Sequence, residues 1–313
     1  MSRSSVTTTA APSWWPTPPA ETSQPTSDPD HEPAATPWDG SGTTPSAFGG
    51  EVLNRLKESL NGPNPPTLVR FADSAGLADW VASLLLAERI LRPQRPLGLA
   101  TGRTMEPIYA ALTRRVEGLS LAERQELRRC WSSFNLDEYV GLTADDRRSF
   151  AAEMHARLSG PLGLDPAAVR LPDGLDPDPT TAAERYAAQL AAANGIGLQL
   201  LGLGLNGHVG FNEPPCSAAA ACRCVQLSSA TRRQNAAAFG GHPDGVPERA
   251  ITLGLREILA AERVLLVVTG AAKASVLARA LLEPPTPDLP ASWLQTHPRV
   301  LVVGDGAAFS LLN

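Results

Sequence analysis

From position 51 onward, apolar residues fall in short, dense runs that alternate with segments of helical period. Leu68-Val-Arg-Phe71, Leu97-Gly-Leu-Ala-Thr101, Cys130 to Leu136, Ile196 to Gly204, Arg263 to Thr269 and Val300-Leu-Val-Val303 read as strands. A short continuous apolar run bounded by glycine is the pattern of a strand buried on both faces. Arg170-Leu171 is a further short strand. Between the strands the spacing predicts a helix from Asp73 or Ser74, either a good N-cap, to about Leu91. It predicts others over 104–116, 120–129, 144–158, 182–193 and 271–282. The stretch from the end of the Ile196 run to about 248 is loop-rich. Strand and helix alternating over about 260 residues predict an α/β fold of the doubly wound, Rossmann-like kind, a mostly parallel sheet with helices on both faces.

Residues 1–48 carry no such pattern. They hold nine of the 29 prolines and many Ser and Thr, with no Leu or Ile before Leu53. Such a segment buries too little apolar surface to offset its ordering entropy. The expectation is a disordered Pro/Thr/Ser-rich tail over 1–48 and one α/β domain over 49–313.

Composition narrows the classes. Hydrophobic residues make up 43% of the chain, enough for a sizeable core, and the formal charge is −5. That balance argues against a nucleic-acid or anionic-membrane binder, which carries a basic face. No apolar run reaches the length of a membrane span, and the N-terminus shows no apolar signal region. The four cysteines, Cys130, Cys216, Cys222 and Cys224, read as free or buried thiols of a cytoplasmic protein.

Four places hold candidate chemistry. The run ending at Gly204 leads into Asn206, Gly207 and His208, with Asn212 and Glu213 close behind. Ligands of open α/β sheets bind past the carboxyl ends of the strands, and imidazole is the group best suited to move protons near neutral pH. Glu213 is placed to hold one ring nitrogen of His208. Cys216, Cys222 and Cys224 match zinc-ligand spacing poorly, so no metal is expected. Asp137 and Glu138 follow the Cys130–Leu136 strand, and at least one is expected to face the same crevice as a proton-transfer base. Thr101, Gly102, Arg103 and Thr104 form a strand-to-helix turn whose N–H groups suit an anion. Lys273 stands in the first turn of the last helix, where a cation opposes the helix dipole and makes more sense facing an anionic ligand.

The order Thr-Gly-x-Thr, Asn-Leu-Asp-Glu-Tyr-Val-Gly-Leu, Gly-x-Gly-x-Asn-Gly-His-x-Gly-Phe-Asn-Glu-Pro and Gly-x-x-Lys-Ala resembles the glucosamine-6-phosphate deaminase family. Pro290-Ala-Ser-Trp-Leu-Gln-Thr-His297 extends the likeness, which runs from about residue 51 to the end. The related 6-phosphogluconolactonases share the Gly-His but lack Asp-Glu-Tyr and Asn-Glu-Pro. The resemblance implies conversion of an amino-sugar 6-phosphate to the ketose 6-phosphate with release of ammonia, without metal or organic cofactor. It implies Asp137 as the base at C2 and His208, oriented by Glu213, as the ring-opening group. Thr101, Gly102, Arg103, Thr104 and Lys273 would hold the phosphate. It leaves open a monomer or a homo-oligomer.

Three departures bear on function. Asn206 stands where the well-known deaminases have Asp, which brings galactosamine 6-phosphate into consideration beside glucosamine 6-phosphate. Ala237 replaces a phosphate-binding Arg, for which Arg232, Arg233 or Arg103 would compensate. Of the run that builds an allosteric anion site in some members only Arg223 remains, so simple kinetics are expected. Lactone hydrolysis and non-catalytic sugar-phosphate sensing are the alternatives.

Overall fold

The structure, a computed structural model, describes residues 66–312. The expected tail over 1–48 and the expected domain start at 49 lie outside the described residues. Ten strands follow along the described chain: β1 (Thr67–Phe71), β2 (Leu97–Leu99), β3 (Ser133–Asn135), β4 (Asp137–Tyr139), β5 (Val169–Arg170), β6 (Leu198–Gly202), β7 (Arg223–Gln226), β8 (Arg249–Thr252), β9 (Arg263–Val268) and β10 (Val300–Asp305). The helices are α1 (Ser74–Leu91), α2 (Glu106–Glu117), α3 (Leu121–Cys130), α4 (Phe150–Met154), α5 (Pro179–Ala192), α6 (Ser229–Asn235), α7 (Leu255–Leu259) and α8 (Ala274–Leu282). A π-helical turn, His155–Ser159, and a last turn, Gly160–Leu162, prolong α4.

Seven strands form one parallel sheet in the order β1-β10-β9-β6-β2-β3-β5. The apolar runs make this sheet because each strand is covered on two sides: every residue of β2 and of β9 is buried. From β2 the chain winds outward to β3 and β5. It returns at β6 on the other side of β2 and winds the opposite way to β9 and β10. The order therefore reverses between β2 and β6, and the crevice beyond that reversal is where such a sheet receives ligands.

A second, three-stranded antiparallel sheet, β4-β8-β7, stands apart from the first. Sequence pattern alone places β7 in loop and assigns β8 no element. Both are short and their sequences, Arg-Cys-Val-Gln and Arg-Ala-Ile-Thr, carry little apolar periodicity; partner strands define them. Only Leu136 separates β3 from β4, so the small sheet begins at the carboxyl edge of the large one. Leu136 is pinned on both sides, its N–H donating to Leu99 O at 2.9 Å and its carbonyl accepting from Leu253 N–H at 2.7 Å.

Element ends follow from local chemistry. Asp73 caps α1 by accepting from Gly76 N–H at 2.7 Å. The helix expected over 104–116 starts instead at Glu106, because Gly102 to Met105 closes a turn, with Met105 N–H donating to Gly102 O at 2.8 Å. The helix expected from Ala144 starts at Phe150, where Ser149 caps it by accepting from Ala152 N–H at 3.0 Å. The helix expected from Ala271 opens with a 3-10 turn, Ala271–Lys273, before α8.

Candidate active site

β2, β6 and β9 each deliver one loop to the crevice. β6 ends in Gly204-Leu-Asn-Gly-His208, a tight reversal closed by Gly204 N–H to His208 O at 2.9 Å and Gly207 N–H to Gly204 O at 3.1 Å. Gly207 has φ +82°, a left-handed conformation open to glycine at little cost. Gly204 is needed for space: a Cβ there would stand 2.3 Å from the His208 ring.

Asn206 fixes the imidazole. Its Oδ1 accepts from the His208 backbone N–H at 3.2 Å and lies 2.6 Å from His208 Nδ1. A backbone N–H only donates, so the shared atom is an acceptor and Nδ1 carries the ring proton. The Nε2 lone pair is left for a ligand. Burial pushes the His208 pKa down to about 4, with the Lys273 cation acting in the same direction and Glu213 against it. The ring is therefore neutral at pH 7.

The expectation that Glu213 holds the ring is corrected here. Its carboxylate accepts from Ser228 N–H at 2.9 Å and from the hydroxyls of Ser228 and Thr231. Glu213 thus anchors the start of α6, and its influence on His208 is through charge. Asn212, fully buried, is also structural. Its Nδ2 donates to Val209 O and Leu253 O at 3.0 and 2.9 Å, and its Oδ1 accepts from Arg223 at 2.9 Å. Arg223 is thereby turned inward.

Asp137 and Glu138 are neighbours on β4, so their side chains point to opposite faces. Glu138 accepts from the N–H groups of Tyr139, Phe150 and Ala151 at 2.8, 3.0 and 2.7 Å. It holds the N-terminus of α4 in place. Asp137 is the one left for chemistry. It pairs in register with Thr252, and a Cβ on Gly210 would stand 3.3 Å from its Oδ2. His208 lies two residues before Gly210, and two residues span at most about 7 Å. The carboxylate and the imidazole therefore flank one short turn.

Burial pushes the Asp137 pKa up to about 8, helped by the charges of Glu138 and Glu153 and opposed by the Phe211 N–H. An aromatic cluster beneath keeps this geometry. The Tyr139 ring lies 4.7 Å from that of Phe150, 5.5 Å from Phe211 and 5.6 Å from Phe239. It joins β4, α4, the His208 loop and the segment after α6. Asn235 donates to the buried Tyr139 hydroxyl at 2.9 Å.

The third loop brings Lys273. Burial, then the Arg103 cation, push its pKa down to about 8, so Lys273 and Arg103 lie near one another across the β2 and β9 loops. Of the three arginines proposed to stand in for Ala237, Arg103 is the one beside Lys273. Arg232 is engaged with Val246 O at 3.2 Å and Asp244 at 3.7 Å, and Arg233 is exposed. Gly102 has φ +103°, and its N–H does not stand free as expected: it donates to Glu153 Oε1 at 3.0 Å. No sequence pattern points to Glu153, a polar residue in a helix. Thr252, whose hydroxyl accepts from Phe211 N–H at 3.2 Å, escapes notice because its strand carries no apolar pattern of its own. Among the described residues, no three His, Cys, Asp or Glu side chains are grouped to hold a metal ion.

Asn206→Asp tests the ring assignment. A carboxylate on Nδ1 stabilises imidazolium, and an opposite charge this close moves a pKa by roughly 1–3 units. NMR titration of His208 is expected to show a midpoint well above the wild-type value. An unchanged midpoint would mean that residue 206 does not hold the ring.

A neutral imidazole, a buried carboxylate of high proton affinity and a lysine at the switch point of a parallel sheet define a proton-transfer site for a small anionic ligand. Residues 74–302 match the family of glucosamine-6-phosphate isomerases/6-phosphogluconolactonase, and the chain belongs to that family. It is 42% identical over 233 residues to a glucosamine-6-phosphate deaminase of Rhodopirellula baltica, covering 74% of this chain and 90% of that one. A Cutibacterium acnes glucosamine-6-phosphate deaminase is 42% identical over 234 residues, covering 74% and 87%. Among solved structures, a monomeric glucosamine-6-phosphate deaminase superposes with TM-score 0.72 at 33% identity, covering 78% of this chain and 99% of that one. A 6-phosphogluconolactonase from Leishmania guyanensis, at 21% identity and TM-score 0.60 over 78% and 98%, shares the fold.

Proposed function

We infer that this chain is an isomerising deaminase that converts glucosamine 6-phosphate and water to fructose 6-phosphate and ammonia. The observation that carries the reading is Asp137: a buried carboxylate with raised proton affinity, at the start of β4, beside the turn that bears His208. Within that reading, Nε2 of His208 takes the proton of the anomeric hydroxyl and returns it to the ring oxygen, opening the pyranose. Asp137 then removes the C2 proton of the open-chain sugar and delivers it to C1. Water adds at C2 as the C2–N bond breaks, and ammonia leaves. Each positioned proton-transfer group is worth about 10²–10⁴ in rate. Lys273, with the Thr101–Thr104 turn and Arg103, holds the phosphate. Being remote from C1 and C2, the phosphate supplies binding energy that positions the reacting carbons.

Asn206 keeps galactosamine 6-phosphate as a second substrate candidate. Purified protein is expected to release ammonia from glucosamine 6-phosphate and, if Asn206 relaxes the choice at C4, from the galacto epimer too. No ammonia from either sugar would overturn the assignment. No helix among the described residues is long and apolar enough to cross a membrane.

A further inference from the structure

Glu153 is the feature of the site that the chemistry above does not use. It sits on α4, whose N-terminus Glu138 and Ser149 hold in place, and its Oε1 takes the Gly102 N–H at 3.0 Å. That N–H belongs to the turn assigned to the substrate's phosphate. The surroundings are rich in acidic groups. Asp137, Glu138 and the Tyr109 phenol all feel the Glu153 carboxylate, and Glu106 acts on it in turn. The nearest cation is Arg157, whose Nε lies 3.8 Å away and whose guanidinium is shared with Glu106 at 2.8 Å. Arg103, on the turn itself, lies near Lys273. A neutral amide would prop the turn equally well, since one N–H needs only one acceptor. The negative charge adds repulsion toward Asp137, Glu138 and any incoming phosphate.

We propose that Glu153 is a resident anion on the Gly102 turn, one that the substrate's phosphate must displace, and that it thereby sets the threshold for anion binding at this site. This rests on the reading of the Gly102 turn and Lys273 as the phosphate site. A dianion and a carboxylate cannot share one N–H, so binding requires Glu153 to swing away or to take up a proton. Ligands with a weakly charged end gain too little from Lys273 and Arg103 to achieve this. A phosphate dianion gains enough. Glu153 is in this sense a specificity-determining residue that acts against ligands other than sugar phosphates. Burial raises its proton affinity, which makes proton uptake the easier route.

The test is calorimetric titration of the full chain with inorganic sulfate, a dianion that does not itself titrate near neutral pH. Three proteins are compared: wild type, Glu153→Gln and Lys273→Ala. Charges a few ångströms apart near a protein surface interact by kilocalories, so Glu153→Gln is expected to bind sulfate at least roughly tenfold more tightly at pH 7. The gap should narrow at acid pH, where the wild-type carboxylate, its proton affinity raised by burial, takes up a proton. Equal or weaker sulfate binding by Glu153→Gln would overturn the proposal and leave Glu153 as a prop for the turn. If Lys273→Ala binds sulfate as tightly as wild type, the phosphate-site reading falls first and the role of Glu153 with it.

Discussion

Asp137→Asn is expected to lower kcat by at least about 10³-fold, the scale of a lost positioned base. Binding of the sugar phosphate should change little. Asparagine has the shape of the carboxylate, but it cannot take a proton from carbon. Folding should not suffer. The Asp137 pKa is about 8 in the folded protein, against about 3.9 for an ordinary Asp. A folded-state pKa raised in this way contributes stability that is full below about pH 4 and lost as pH rises through 8. Asparagine never ionises, so the variant's Tm at pH 9 should equal or exceed that of wild type. Steady-state kinetics with thermal denaturation at pH 9 checks both halves. Retention of more than a tenth of the wild-type rate would remove Asp137 from the role of base.

The same groups set the pH profile. Asp137 must lose its proton to act as a base, which favours pH above about 8, whereas Lys273 must keep its proton to hold phosphate, which favours pH below about 8. The kcat/KM profile of the wild type should therefore be a narrow bell near pH 8. With Asp137 as the base at C2, the cationic amine of the substrate would lie close to it and favour the carboxylate, so the acid limb of kcat should fall at lower pH than that of kcat/KM.

Gly204→Ala should cost about 10²-fold in kcat, the scale of an ångström's misplacement of a catalytic group. The new methyl would stand 2.3 Å from Cε1 and Nδ1 of His208, so the ring must leave the Asn206 oxygen. A ring can swing where a backbone atom cannot, so stability should fall only slightly. The variant should keep its sugar-phosphate affinity, which is proposed to depend on Lys273 and the Gly102 turn. An enzyme with an alanine at 204 and full kcat would show that ring opening does not need the imidazole where Asn206 holds it.

The parallel sheet was legible because its strands are written in continuous apolar runs, Ile196 to Leu203 and Arg263 to Thr269 among them, and burial on two faces tolerates little else. The crevice was legible for the same reason, since loops at the carboxyl ends of such strands converge at the reversal of strand order. Asp137, His208 and Lys273 could be named from chain position next to those runs. The small sheet could not. β7 and β8 have no pattern of their own: β8 exists through pairing with β4, about 110 residues away, and β7 through pairing with β8.

What the chain's own pattern determined is the scaffold and the identity of the groups brought to its edge, because strand burial and loop position are local properties of sequence. Tertiary structure alone decided which of those groups are free to act. Glu213, Glu138 and Asn212 have the residue types of catalysts, yet each is consumed by N–H, hydroxyl or carbonyl partners from other segments. Asn206 takes the imidazole that Glu213 was expected to hold, and Glu153 takes the turn expected to stand open. A polar side chain's role depends on whether its hydrogen-bonding capacity is already filled, and that is settled by neighbours in space.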